Sequence, residues 1–151
     1  MSNYKLLIIS LLISLTLALC LSFLIKVKPK IASSPLEDRV KLLIDDINKN
    51  PNKLQTQLTP AGGMLIDIGT PSLKFGVLEL LLSSDQDTRR RAEVVLRQVS
   101  WDVLGGRAWN DPEDKARWES LWKSNGSYGW GASYESRKDS YEKWKSWLEQ
   151  Q

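Results

Sequence analysis

Residues 86–99, QDTRRRAEVVLRQV, carry the pattern that most restricts the fold. Ala92, Val95, Leu96 and Val99 recur at i, i+3, i+4 and i+7, whereas Arg89, Arg90, Glu93 and Arg97 take the other side. One stripe of an α-helix must therefore go to a core, and the opposite face is expected to meet water. The forty residues 61–100 are punctuated to match. Gly69 closes a helix carrying Met64, Leu65 and Ile68 through a left-handed cap, and Thr70 with Pro71 supplies an N-cap and a first-turn proline for the next. That next helix, from Ser72 to about Leu82, is apolar nearly all round, as suits a helix packed on both sides. Gly76 in its middle costs roughly 1 kcal/mol relative to alanine and is expected to mark a close helix crossing. Ser83, Ser84 and Asp85 break the run, and Asp87 falls near the positive end of the following helix dipole.

The stretch IGTPSLKFGVLELLLSSDQDTRRRAEVVLRQVS resembles a HEAT repeat, the paired-helix unit of α-solenoids. In that resemblance Asp85, Arg89, Ala92 and Leu96 stand at the family's turn aspartate, arginine, small residue and core leucine, and Thr88 stands where a valine is more usual. It covers about residues 61–100. The resemblance implies an interaction or scaffold fold and no particular reaction, because such modules serve many functions.

Upstream, LLIISLLISLTLALCLSFLI (residues 6–25) is a run of uncharged residues between Lys5 and Lys26. Its length matches a hydrocarbon core of about 30 Å at about 1.5 Å per residue, so a transmembrane helix is expected over 6–25, within an anchor spanning 1–26. A cleaved signal peptide competes, with Ala32-Ser33-Ser34 as small residues for a peptidase; its apolar region would normally be shorter, about 7–15 residues. A lipoprotein signal fits less well, since Leu19 precedes Cys20 where a small residue is needed. Lys26, Lys28 and Lys30 favour a cytoplasmic domain by the positive-inside rule. A short tail before one apolar segment equally begins exported proteins, so both sides of the membrane stay open.

The same lysines explain the charge. The chain is +3 overall, yet removing Lys5, Lys26, Lys28 and Lys30 from its 21 Lys and Arg leaves 17 against 18 Asp and Glu. The part beyond residue 30 is nearly neutral, which makes nucleic acid an unlikely partner. The sequence contains no histidine and one cysteine, Cys20. A Ser-His-Asp or Cys-His site, a Cys/His zinc site and an intramolecular disulfide are thereby excluded.

After a linker over 27–35, Leu36, Val40, Leu43, Ile44 and Ile47 share one face of a first helix that ends at Asn48 to Pro51. Pro51 to Leu58 reads as a second, weaker helix with Leu54 and Leu58 as its contacts. The last third differs in composition, since all seven tryptophans lie in 101–147. Asp111-Pro112-Glu113-Asp114 is a helix start, followed by the stripe Trp118, Leu121 and Trp122. Residues 124–131 form a loop. Ser133 caps a last helix with Tyr134, Tyr141, Trp144 and Leu148 along one side and Trp147 beside them, so that tryptophans pack across a helical hairpin.

The fold expected is all-α: the anchor, a HEAT-like helical domain over 36–100, and a Trp-rich helical cap over 101–151 on the same domain. Two readings of the loop aromatics compete. They complete the core, or Trp109, Tyr128 and Trp130 form an exposed platform for a glycan, a peptide or a partner protein. Arg89, Arg90 and Arg97 are a candidate basic patch, with a solvated helix face as the simpler reading. Asp45-Asp46 and Glu113-Asp114 read as surface and first-turn charges, so no acid and base are singled out. The expected function is a membrane-anchored, non-enzymatic protein-interaction module without a cofactor; a tethered ligand-binding domain is the alternative, and a carboxylate-based hydrolase, of the kind that uses two acids, comes third.

Overall fold

The longer helices start where a short polar side chain meets the first free N–H groups. A computed structural model describes residues 33–51, 53–54, 57–106 and 111–151, which form one packed unit of helices with no strand among the described residues. The expected transmembrane helix at 6–25 and the candidate contact Trp109 lie outside the described residues. No described helix is long and apolar enough to cross a membrane.

Helix α1 (Pro35–Asp45) opens on Ser34, whose hydroxyl accepts from the Glu37 amide at 3.1 Å. The linker therefore ends one residue earlier than expected. Val40 and Ile47 are buried, with Leu43 and Ile44 packed beside them, while Leu36 stays 39% exposed. The expected helix over Pro51 to Leu58 is corrected: the described residues there are bends and turns, and Leu54 is 94% exposed. Of the two leucines meant to anchor this helix, Leu54 is left in solvent, so a short segment gains too little packing to offset the cost of nucleating a helix.

Helix α2 (Pro60–Ile68) is capped by Thr59, which accepts from the Gly62 amide and donates to the Ile47 carbonyl, both at 3.0 Å, joining its start to the end of α1. Gly69 ends it at a positive φ of 73°, as expected, but its ψ of −143° departs from a left-handed cap. Thr70 does not cap the next helix; it is the first helical residue, and the Ser72 hydroxyl returns to the Gly69 carbonyl at 2.8 Å.

The next helical run is not regular. It comprises α3 (Thr70–Ser72), a π-turn (Leu73–Val77) and α4 (Leu78–Leu80). Gly76 sits at φ 151°, and a β-carbon there would lie 2.6 Å from Ile44 Cδ1. The glycine is thus favoured by its own backbone, and any β-carbon would also have to displace the end of the Ile44 side chain of α1.

Helix α5 (Gln86–Val103) is the longest described and crosses the boundary expected at residue 100. Asp85 caps it, accepting from the Thr88 amide at 2.8 Å and from the Thr88 hydroxyl at 2.5 Å. The Thr88 hydroxyl and amide hold the Asp85 carboxyl below its usual range. Ala92, Val95, Leu96 and Val99 are all buried, as the periodicity requires. Helices α6 (Pro112–Ser124) and α7 (Tyr134–Leu148) start on Asp111 and Ser133, whose side chains accept from the first-turn amides.

The described tryptophans join one continuous core with the aliphatic residues. Trp118 stacks on Trp122 at 4.9 Å between centroids, Trp122 meets Trp144 at 5.4 Å, and Trp144 meets Trp147 edge-on at 5.3 Å. Tyr134 departs from the expected spine of α7: it is 50% exposed, and the buried side begins at Arg137.

Candidate contact site

The expected aromatic platform is taken up by the fold. Tyr128 is only 3% exposed, and its hydroxyl donates to the Leu81 carbonyl at 2.9 Å. Leu81 is the first residue past α4, where carbonyls lack helical partners, so the phenol completes a helix end. Burial pushes its pKa up to about 12. Of the two readings of Tyr128, the core one fits and the exposed platform does not: the flanking loop glycines suggest exposure, but a ring with a single polar atom is satisfied by one carbonyl 47 residues away.

Trp130 is half-buried and held through its backbone. Its N–H donates to Glu93 Oε2 at 2.9 Å, and its carbonyl accepts from Arg89 Nε at 2.9 Å. Arg90 lies 4.6 Å from the ring centroid. Gly129 and Gly131 meet nothing within 4 Å at the β-carbon position, so their role is not to make room.

The arginine run is likewise corrected from a solvated face. Arg89 Nη1 donates to the Ser83 and Ser84 carbonyls, each at 2.8 Å, and so closes the turn between α4 and α5. Arg91 is buried and donates to the Asn48 amide oxygen, while Asn48 Nδ2 donates to Thr88 Oγ1 at 2.8 Å. Arg97 donates from Nε to Glu93 Oε1 at 2.9 Å and lies over Trp118 and Trp122, at 5.3 and 4.7 Å. Glu93 therefore serves two partners, a guanidinium and a loop amide. A buried carboxylate with both oxygens hydrogen-bonded is tolerated where an unpaired one would not be.

Sequence reasoning missed three further residues of this network. Tyr141 donates to Glu79 Oε1 at 2.6 Å, and that bond raises its pKa to about 12, which makes the phenol a poor acid near neutrality. Arg137 reaches the Ser83 carbonyl at 3.4 Å from α7. Ser100 accepts from Trp118 Nε1 at 2.9 Å and donates to the Arg97 carbonyl at 3.0 Å. For Tyr141 the periodicity gives the buried side of α7 but not the bond to Glu79; Arg137 and Ser100 have no sequence signal beyond polarity on an otherwise apolar stripe. No cluster of three or more His, Cys, Asp or Glu suited to a metal ion occurs among the described residues.

Comparison with protein-family models, with curated proteins and with solved structures returned no match.

Proposed function

We propose that the chain is a membrane-anchored, non-enzymatic interaction module in which a short HEAT-like helical stack is closed by the Trp-rich helices α6 and α7. The observation that carries this reading is where the polar side chains go. Arg89, Glu93, Arg137 and Tyr128 bond to groups of other segments, and Arg97 pairs with Glu93 within α5 while lying over Trp118 and Trp122 of α6. These residues act in building and closing a stack. A short helical array needs a closing end that covers its last apolar face, and the rings of α6 and α7 suit that role.

Two details support the HEAT resemblance. Asp85 caps α5, and Arg89 spans the turn to the carbonyls before it. The anchor at 6–25 rests on the length of its apolar run. The ligand-binding alternative now depends on Trp130 alone of the described aromatics, since Tyr128 is buried, and one face of the Trp130 ring already meets Arg90.

An oligosaccharide array combined with cross-linking separates the two. The full chain, cross-linked in its own membranes, is expected to yield a discrete protein adduct that survives Trp130→Ala. Binding to an arrayed glycan that disappears with Trp130→Ala would overturn the interaction reading in favour of the ligand platform.

A further inference from the structure

Helix α1 carries a second stripe beside the one that enters the core. Arg39, Leu42, Leu43 and Asp46, the last as the C-cap, stand at i, i+3, i+4 and i+7, so they share a face about a third of a turn from Val40, Ile44 and Ile47. Leu42 is 68% exposed and Leu43 is half-buried. Met64 of α2, 47% exposed, lines with Leu43 and Asp46 a depression of about 160 Å³. Arg39 is exposed and makes no ion pair among the described residues. Asp46 takes Lys49 on Oδ1, and a carboxylate has a second oxygen to offer.

We propose that this stripe is the contact between two copies of the chain, with their α1 helices antiparallel about a two-fold axis midway between Leu42 and Leu43. A two-fold contact uses the same patch on both partners, so every pairing across it must occur twice. The stripe meets that condition. Leu42 of each copy faces Leu43 of the other, and Arg39 of each faces Asp46 of the other, which sets two apolar contacts between two ion pairs. A parallel pairing would place Arg39 on Arg39 and Asp46 on Asp46, so the charges select the antiparallel arrangement.

The surroundings fit a second copy. The part of the chain beyond residue 30 is nearly neutral, so two copies approach without net repulsion. Met64 borders the stripe with an unbranched thioether that adapts to a facing surface. Asp38 and Asp45, on the shoulder away from the core, are the charges that oppose the approach. A helix of 11 residues is about 16 Å long and about 10 Å wide, so the contact is smaller than the roughly 800 Å² per partner of a standard interface. The dimer is therefore weak and concentration-dependent. The inference uses only α1 and α2; it goes beyond the interaction reading and depends neither on the anchor nor on the closing of the stack.

The test is sedimentation equilibrium of the full chain in density-matched detergent, under reducing conditions so that Cys20 cannot link copies. Arg39→Asp and Asp46→Arg each bring like charges together twice per dimer, and each is expected to weaken it about tenfold, since two exposed pairs worth a few-fold apiece multiply. Neither change opposes the helix, because the new acid lies in its N-terminal half and the new cation at its C-terminal end. A mixture of the two variants restores both ion pairs and is expected to regain the parent affinity, as is Arg39→Asp combined with Asp46→Arg in one chain. Leu42→Glu should abolish the dimer. Rescue by mixing decides the matter, because damage within one copy cannot be repaired by another. A chain that stays monomeric as its concentration rises, single variants that associate like the parent, or a mixture no better than its components would overturn the two-fold contact. Association that survives Leu42→Glu lies elsewhere on the chain and overturns it as well. All of these outcomes leave the cross-linking and glycan test of the interaction reading untouched, so the two can fail separately.

Discussion

The two sides of α5 are held by different physics. Toward α2, α3 and the π-turn the helix presents Ala92, Val95, Leu96 and Val99, small aliphatic residues that let backbones approach closely. Toward α6 and the loop that follows it, the helix presents Arg89, Arg90, Glu93 and Arg97, and contact is made by long side chains and indole rings. The first side depends on shape, the second on directional bonds with rings filling the wider gap. Non-directional packing leaves a repeating mark in a sequence. A guanidinium that reaches a carbonyl tens of residues away leaves none.

The largest expected effect breaks the aromatic side. Trp144 is fully buried between Trp122 and Trp147, and Trp144→Ala should cost about 3–5 kcal/mol as a large core truncation. Its indole N–H, however, has no hydrogen-bond partner among the described residues. Trp144→Phe removes that orphan donor together with the lost volume, and should cost clearly less, within about 1–2 kcal/mol. Chemical denaturation of both variants tests this. Equal losses would mean that the N–H is satisfied after all and that the rings are not held by packing.

The aliphatic side is tested next at its closest approach. Gly76→Ala should destabilise by about 1–3 kcal/mol through the strained backbone, with a further clash against Ile44 Cδ1. Ile44→Val deletes that methyl group, so the double variant should recover the clash and leave the backbone part. A double-mutant cycle with no coupling would show that Ile44 moves aside freely and that the crossing is not tight.

How much of this was legible follows the same division. The buried stripe of α5 and the caps at Asp111 and Ser133 were readable, because each depends on residues within a few positions of one another, whereas at Gly76 the glycine itself signals a close crossing and its partner Ile44, in α1, left no mark. The second face of α5 was not. Glu93 and Arg91 carry full charges, and a charged residue on a helix is normally solvated; what buries them is Trp130 at one side and Asn48 at the other, 37 and 43 residues distant. Tyr128 stands between two readings for a related reason, since the glycine-rich loop around it is a local feature while its acceptor on Leu81 is not. The π-turn escaped because a helix that is apolar all round offers no periodicity whose phase could be seen to slip.

A smaller effect concerns the phenols that tie the aromatic side to α4 and its end. Tyr128 and Tyr141 both have pKa values raised to about 12 from 10. The folded state therefore holds these protons more tightly than the unfolded state, and the stabilisation is complete below pH 10 and is lost as pH rises toward 12. Denaturation midpoints should fall across that window, and ultraviolet titration should show two tyrosines ionising late. Tyr128→Phe should cost about 1–3 kcal/mol near neutrality by leaving the Leu81 carbonyl without its donor, and should make the alkaline decline shallower. An unchanged decline would remove Tyr128 from the account.

The smallest effect is the most discriminating for the loop. Three consecutive arginines have three separate partners: Arg89 bonds to backbone carbonyls, Arg91 bonds to Asn48, and Arg90 has the face of Trp130. A cation over an indole at a partly exposed site is worth about 0.5–1 kcal/mol. The loop backbone is already fixed at both ends of the Trp130 peptide unit by Glu93 and Arg89, so removing the ring contact should not release it. Arg90→Ala is accordingly expected to lower stability by about 0.5–1 kcal/mol and Trp130→Ala by somewhat more, with a coupling between them close to the cation–ring value. Glu93→Gln, which keeps the shape but weakens the acceptor for both Arg97 and the Trp130 amide, should exceed Arg90→Ala. If Arg90→Ala proves the more damaging, the ring and not the backbone holds the loop, and α5 presents an aromatic–cation surface where a bonded clamp is described here.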